Sequence, residues 1–168
     1  MSLRIRPETP LDACVIEAVT IAAFAQAPHT NHTEQHIVRA LRQAAQLTLS
    51  LVAEEAGTVI GHAALSPVQI SDGARDWYGL GPISVLPNRQ RCGVGTQLMR
   101  HVLGDLHLLG AAGCVVLGEP AYYGRFGFSV QPALVLPGVP AEFFQVLPFK
   151  GPLPKGVVTY HPAFSATA

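Results

Sequence analysis

Gly79-Leu80-Gly81-Pro82-Ile83-Ser84-Val85-Leu86-Pro87-Asn88-Arg89-Gln90-Arg91-Cys92-Gly93-Val94-Gly95-Thr96 is the stretch from which the fold can be read. The run from Asp76 to Leu86 has the character of a strand, and Pro87 closes it. From Gly93 the period changes: Val94, Leu98, Val102, Leu106 and Leu109 recur at helical spacing until Gly110 and Gly113 stop the pattern. Cys114-Val115-Val116-Leu117 then begins a second apolar run. Strand, helix, strand is a βαβ unit, whose strands should lie parallel and be joined right-handedly. The start of such a helix leaves backbone N–H groups without partners and carries partial positive charge. Glycines there let a diphosphate approach the backbone, and Arg89 and Arg91 add charge on either side of Gln90. The Walker loop is excluded because Thr96-Gln97 follows Gly95 where Lys-Ser/Thr is needed. The dinucleotide fingerprint is excluded because Leu98 stands where its third glycine belongs. Taken alone, the glycines are equally consistent with a tight strand–helix junction that binds nothing.

Outward from this unit, Leu3-Arg4-Ile5-Arg6 alternates as a half-buried strand, closed by Pro7 and Pro10. Val15, Ala18, Val19, Ala22 and Phe24 mark a helix ending before Pro28, and Ile37, Leu41 and Ala44 mark a second one opening at Thr33-Glu34-Gln35-His36. Leu47 to Ala53 and Val59 to Ile70 form an expected antiparallel hairpin around Glu54-Glu55-Ala56-Gly57. Downstream, a short turn or helix is expected at Pro120 to Arg125, a strand from about Phe126 to Val130, and another near Val157 to Tyr160. The proline-rich tail from Pro132 to Pro154 reads as extended or looped, with Phe143-Phe144 a candidate dimer contact. A monomer or homodimer is consistent with this.

At 168 residues, with 49% apolar and 13% charged residues, the chain suits a single α/β domain over residues 1–168 with a sizeable core. Lys+Arg and Asp+Glu are 11 each, so no net field attracts nucleic acid or a charged membrane surface. The 3 cysteines, Cys14, Cys92 and Cys114, fit neither a disulfide framework nor paired metal ligands, which points to a reducing compartment. Leu11 to Ala27 contains Asp12 and Glu17 and lacks the plan of a signal peptide, and no apolar run is long enough to span a membrane. A cytoplasmic protein is expected.

Gln90-x-x-Gly93-x-Gly95, after the strand that ends at Leu86-Pro87, resembles the acetyl-CoA signature of the GNAT superfamily of N-acetyltransferases. Gly118-Glu119-Pro120-Ala121-Tyr122-Tyr123-Gly124-Arg125-Phe126-Gly127-Phe128 is similar to the G-D-P-x-Y-Y-x-R-F-G-F segment of a bacterial branch of that superfamily, with Glu119 in place of the usual Asp. Tyr160-His161-Pro162-Ala163-Phe164 resembles that branch's ending. The resemblance implies the GNAT fold, a mixed and mostly antiparallel sheet with a central, splayed parallel strand pair flanked by helices. It also implies acetyl-CoA as co-substrate. The backbone of Ile83, Ser84 and Val85 should pair with the pantetheine arm, and the amides of Arg91, Cys92, Gly93, Val94, Gly95 and Thr96, with Gln90, should hold the diphosphate. Tyr123 occupies the tyrosine of the Y-x-x-x-G-F pattern and is the implied proton donor to the leaving thiolate, with Tyr122 as the alternative. A backbone N–H near Ile83 is the expected oxyanion donor.

The reaction implied is acetylation of a primary amine, on a small molecule or a protein, by direct attack on the thioester. The general base is not legible: Glu54, Glu55, Asp76, Glu119 and His62 are all candidates. The acceptor is expected to enter opposite the cofactor, between the Phe24–His36 region and the segment after Phe128. His29, His32 and His36 have a spacing that can serve zinc, but no suitable further ligand accompanies them, and no metal is expected. A non-catalytic acyl-CoA-binding sensor and a module in which the glycine turn merely packs are the competing readings, and retention of Tyr123 favours the enzyme.

Overall fold

The computed structural model describes residues 2–28 and 30–168. In chain order the elements are β1 (Leu3–Pro7), α1 (Ala13–Phe24), α2 (Glu34–Gln43), β2 (Leu49–Glu55), β3 (Thr58–Ile70), β4 (Trp77–Val85), α3 (Val94–Leu108), β5 (Gly113–Leu117), α4 (Pro120–Tyr123), β6 (Leu134–Val135), β7 (Phe144–Pro148) and β8 (Gly156–Tyr160). The sheet runs β1-β2-β3-β4-β5-β7, antiparallel along this path except for the parallel pair β4 and β5. β8 pairs with the end of β3 and, in parallel, with β6. This is the mixed sheet with a central parallel pair expected from the sequence.

Alternation along the strands sorts side chains to opposite faces. Leu51 and Ala53 of β2 join the cluster that α3 covers with Val94, Leu98, Met99, Val102 and Leu106. Val52, between them, joins Ile16 and Val19 of α1 and Val38 of α2 on the other face. The helical stripe read for α3 holds as far as Leu106, whereas Leu109 lies past the helix end and is exposed. In α1 the expected stripe of Val15, Ala18, Val19, Ala22 and Phe24 holds at Val19, which is buried with Ile16 and Thr20, and at Val15, which packs against the same cluster, whereas Ala18 is exposed. Apolar residues surround that helix on every side, so periodicity could not orient it.

Other departures have local causes. Glu54 and Glu55 belong to β2 rather than to the turn: their backbone pairs with Arg4 and Leu3 of β1 and with Val59 and Thr58 of β3, and their carboxylates bind Arg6 and Arg89. Ala56 and Gly57 alone make the turn, both at positive φ (52° and 80°), which matches the right-handed twist of a tight hairpin. The expected strand from Phe126 to Val130 does not form. Gly127 turns the chain left-handed (φ 98°), and Ser129 keeps a single bridge to Val146. The edge of β5 is taken instead by β7, from a tail expected to be looped. Phe144 pairs opposite Leu117 and is buried with Trp77 and Val115, so it is part of the core and not an exposed dimer contact.

The feature that positions the site is a bulge. Ala63 pairs with Ile83 and Leu65 with Leu80, so Gly81 and Pro82 together oppose Ala64. Proline has no N–H for a ladder, and Gly81 takes φ 135°, which a side chain would disfavour. The β4–β5 ladder runs from Trp77↔Gly113 to Leu80↔Val116 and ends there, just before the bulge. Beyond it Ile83 to Val85 stay paired to β3, and their other edge is open.

A polar chain is buried beneath α2. The Ser50 hydroxyl donates to Glu8, which also accepts from Arg42, and Ser50 Oγ lies 2.7 Å from His62 Nε2. Since the one hydroxyl proton goes to the carboxylate, His62 donates through Nε2–H, and Nδ1 is a lone pair with no partner. Burial, assisted by Arg42 and opposed by Glu8, depresses His62 to about 4.

Two outcomes follow from these contacts. A Cβ on Gly113 would sit 2.3 Å from Cη2 of the buried Trp77 ring, so Gly113→Ala should destabilise the fold by about 1–3 kcal/mol. Urea titration followed by the emission of this sole tryptophan measures it. His62 in the unfolded chain takes up its proton near the ordinary pKa of about 6.5, whereas the folded chain resists until about 4. Its contribution is therefore complete above pH ~6.5 and lost as pH falls toward 4, by about 3 kcal/mol. The wild-type unfolding free energy should fall more steeply over this window than that of His62→Gln, and parallel curves would refute the assignment.

Candidate functional site

Where β4 and β5 part, a cavity of about 620 Å³ opens. Leu80, Gly81, Pro82 and Ile83 form its β4 wall, with Leu117 and Tyr123 across the gap. Phe24, Glu34 and Ile37 close it from α1 and α2, and Leu136, Pro137 and Val139 close it from the loop after β6. The sequence expectation had the acceptor entering between these same two regions.

The direction of the open backbone groups follows from alternation. Leu86 N–H donates to Ile60 O, and Ser84 pairs with His62, so Ser84 and Leu86 turn their peptide groups toward β3. Ile83 and Val85 turn theirs toward the gap. Ser84 therefore departs from the expected trio: its backbone serves the sheet, and its hydroxyl is buried without a partner. The Val85 carbonyl accepts from Gln90 Nε2 at 3.0 Å, so the signature glutamine ties the loop to the strand end.

Along the same edge lies a second cavity of about 430 Å³, bordered by Val85, Gln90, Arg91, Gly93, Gly95, Thr96, Tyr122 and Arg125. Among the described residues, no amide from Arg91 to Thr96 has a backbone acceptor, and the helical ladder begins with Gln97 N–H to Gly93 O. Gly93 makes the bend at φ 86°. Gly95 is needed for a different reason: a Cβ there would lie 2.9 Å from the Tyr122 hydroxyl. Of the expected loop residues, Cys92, which is exposed, and Val94, whose side chain is buried in the core, do not border this cavity.

The charge beside the loop differs from the sequence reading. Arg89 is bound to Glu55 at 2.9 Å, and Arg125 takes its place opposite Arg91. The Arg125 guanidinium lies 5.5 Å from the Tyr122 ring centre, which helps fix it at the cavity edge. The quoted R-F-G-F motif contained this arginine, but spacing alone gave it no role.

Adjacent tyrosines divide between the cavities. Tyr122 borders the loop cavity, and Tyr123 borders the larger one, its ring over Gly118, where a Cβ would meet Cε2 at 2.4 Å. Burial raises the Tyr123 phenol well above its usual range, with smaller contributions from Tyr122 and Cys114.

None of the candidate bases borders either cavity. Glu54 and Glu55 are held in ion pairs, His62 sits in its chain beneath α2, and Asp76 and Glu119 are exposed. Glu34 is the carboxylate that does border the large cavity. Sequence reasoning passed it over because it sits in the first turn of α2, where acidic residues are common for dipole reasons alone. His29 of the zinc spacing lies outside the described residues, and among those described no group of His, Cys, Asp or Glu is placed to hold a metal ion. No helix among them is long and apolar enough to cross a membrane.

Known proteins are similar to this chain in sequence and fold. The pattern of the Acetyltransferase (GNAT) family matches residues 16–128. The uncharacterized N-acetyltransferase YhbS of Escherichia coli strain K12 is 38% identical over 127 residues, 75% of this chain and 73% of that protein. A GNAT family acetyltransferase from Brucella melitensis, solved in complex with acetyl-CoA, matches with a TM-score of 0.87 and 49% identity, covering 97% of this chain and 98% of that one. The Escherichia coli YhbS structure in complex with CoA matches with a TM-score of 0.86 and 34% identity, covering 99% of this chain and 93% of that one.

Proposed function

Because this chain belongs to the GNAT acetyltransferase family, we propose that it transfers the acetyl group of acetyl-CoA to a primary amine by direct attack of that amine on the thioester. The acceptor is an amine of a small molecule or a protein. The observation that carries the reading is the continuity of two unsatisfied backbone surfaces. The open peptide groups of Ile83 and the Val85 N–H, whose carbonyl is already taken by Gln90, lead into the partnerless amides from Arg91 to Thr96.

Each surface fits one part of the co-substrate. Pantetheine carries amide groups that pair with a strand edge as a peptide does. A diphosphate satisfies amides at a helix start, where Arg91 and Arg125 supply the balancing charge. The thioester provides the activated acyl group. In this reading Ile83, Val85, Gln90 and the loop from Arg91 through Cys92, Gly93, Val94 and Gly95 to Thr96 form the binding site. Ser84 contributes by holding β4 on β3.

The transfer forms a C–N bond and breaks the C–S bond; an acceptor bound as an ammonium first gives one proton to water, and the attacking neutral nitrogen then sheds one more as the sulfur gains one. The Ile83 N–H is directed at the gap and stabilises the developing oxyanion as a preorganised donor. Tyr123 serves the sulfur. Its raised pKa keeps the phenol protonated but makes full transfer to an ordinary thiolate uphill, so it acts first by donating a hydrogen bond to the developing charge. Burial narrows the gap between the two groups, because a thiolate in the same cavity is also destabilised, as it is at the buried Cys114 thiol.

Tyr123→Phe should fold and bind acetyl-CoA within about twofold of wild type by calorimetry, while turnover falls about 100-fold or more. Turnover followed by thiol release that is unchanged in this variant would remove Tyr123 from the mechanism. Failure of the wild-type chain to bind acetyl-CoA would remove the transferase reading itself.

A further inference from the structure

The acceptor side of the large cavity carries a chemical preference that acetyl transfer alone does not specify. Phe24, Ile37, Leu136, Val139 and Phe164 make it apolar, and Glu34 is the only charged side chain among the described residues that border it. The Glu34 carboxylate is half satisfied. Oε2 accepts from the Thr30 hydroxyl, while Oε1 is buried with no hydrogen-bond partner among the described residues. A buried carboxylate oxygen without a partner is costly unless a donor arrives. Tyr160 borders the same cavity with its hydroxyl buried and unpartnered. Burial pushes that phenol far above its usual range, so it remains a neutral donor and acceptor.

Resting on the acetyltransferase reading, we propose that the acceptor is an apolar primary amine that lacks a carboxylate, of the arylalkyl or alkyl class, and that its ammonium is bound by Glu34. The ammonium supplies the donor that Oε1 lacks, Tyr160 accepts or donates the next hydrogen bond, and the nitrogen attacks once it has given one proton to water and become the neutral amine. The aromatic or alkyl body lies against Phe24, Ile37, Leu136, Val139 and Phe164. An α-amino acid is rejected, because its carboxylate would enter a cavity edged by no arginine, lysine or histidine among the described residues. Polyamines are rejected in the same way, since a second ammonium has no second carboxylate to meet. Glu34 is thus an acceptor-binding residue that sets specificity.

The test compares 2-phenylethylamine with phenylalanine, which differs from it by the carboxylate, and adds hexylamine, spermidine and a lysine-containing peptide. Acetyl-CoA binding is measured separately by calorimetry. The expected result is a kcat/KM for 2-phenylethylamine and hexylamine at least about 100-fold above the other acceptors. In Glu34→Gln the KM for 2-phenylethylamine should rise at least about tenfold, with acetyl-CoA affinity unchanged and kcat within about threefold, and Glu34→Asp should recover part of the loss. Equal rates on phenylalanine, preference for spermidine or the peptide, or an unaltered KM in Glu34→Gln would each overturn the proposal while leaving acetyl transfer intact. An enzyme that binds acetyl-CoA but acetylates none of the apolar amines would also overturn it. Absence of acetyl-CoA binding would instead overturn the reading on which it rests.

Discussion

The parting of β4 from β5 after Leu80 is the constraint on which the rest of the molecule depends. A sheet ordinarily satisfies its backbone by continuing the ladder, and a buried edge left open is costly. Here the bulge at Gly81 and Pro82 sits where the ladder ends, while Ile83 to Val85 remain anchored to β3. One side of β4 is held rigidly and the other is free. That asymmetry leaves the Ile83 peptide groups and the Val85 N–H facing the gap from a strand that is already fixed.

Everything around the gap serves to hold it open and give it ends. α3 packs Val94, Leu98 and Met99 into the sheet, which fixes the orientation of its first turn and so the direction of the partnerless amides. Gln90 clips the loop back to Val85. β7 covers the far edge of β5, so within the β4–β5 pair the open peptide groups face the gap. Gly118 lets the Tyr123 ring lie flat at the point where the sheet divides. The charged partners are local to their tasks: Arg89 goes to Glu55 in the hairpin, and Arg91 and Arg125 stay with the loop cavity.

Much of this arrangement was legible in the chain because its signals are local. The switch from strand to helix around Gly93 and the proline at position 82 each announce a backbone requirement. What was not legible depends on partners distant in sequence. β7 hides in a proline-rich tail because its strand character comes from pairing with β5 and not from alternation of its own. The buried face of α1 is set by the sheet beneath a helix that is apolar all round. Ser84 and Val85 are neighbours of similar promise, and only the register with His62 and Ile60 tells which of them faces the gap. Arg125 and Glu34 needed the fold itself, which brings the one to the loop and the other to the cavity from segments with no spacing relation to either.

The most direct measurement is an amide-resolved NMR titration of the chain with coenzyme A. If the parted strands and the adjoining helix start form the cofactor site, the largest shifts should fall on the amides of Ile83, Val85 and Arg91 to Thr96, while the neighbouring Ser84 amide, already directed at β3, moves less. Shifts spread over other surfaces with these amides unmoved, or a Ser84 response as large as those of Ile83 and Val85, would contradict the account.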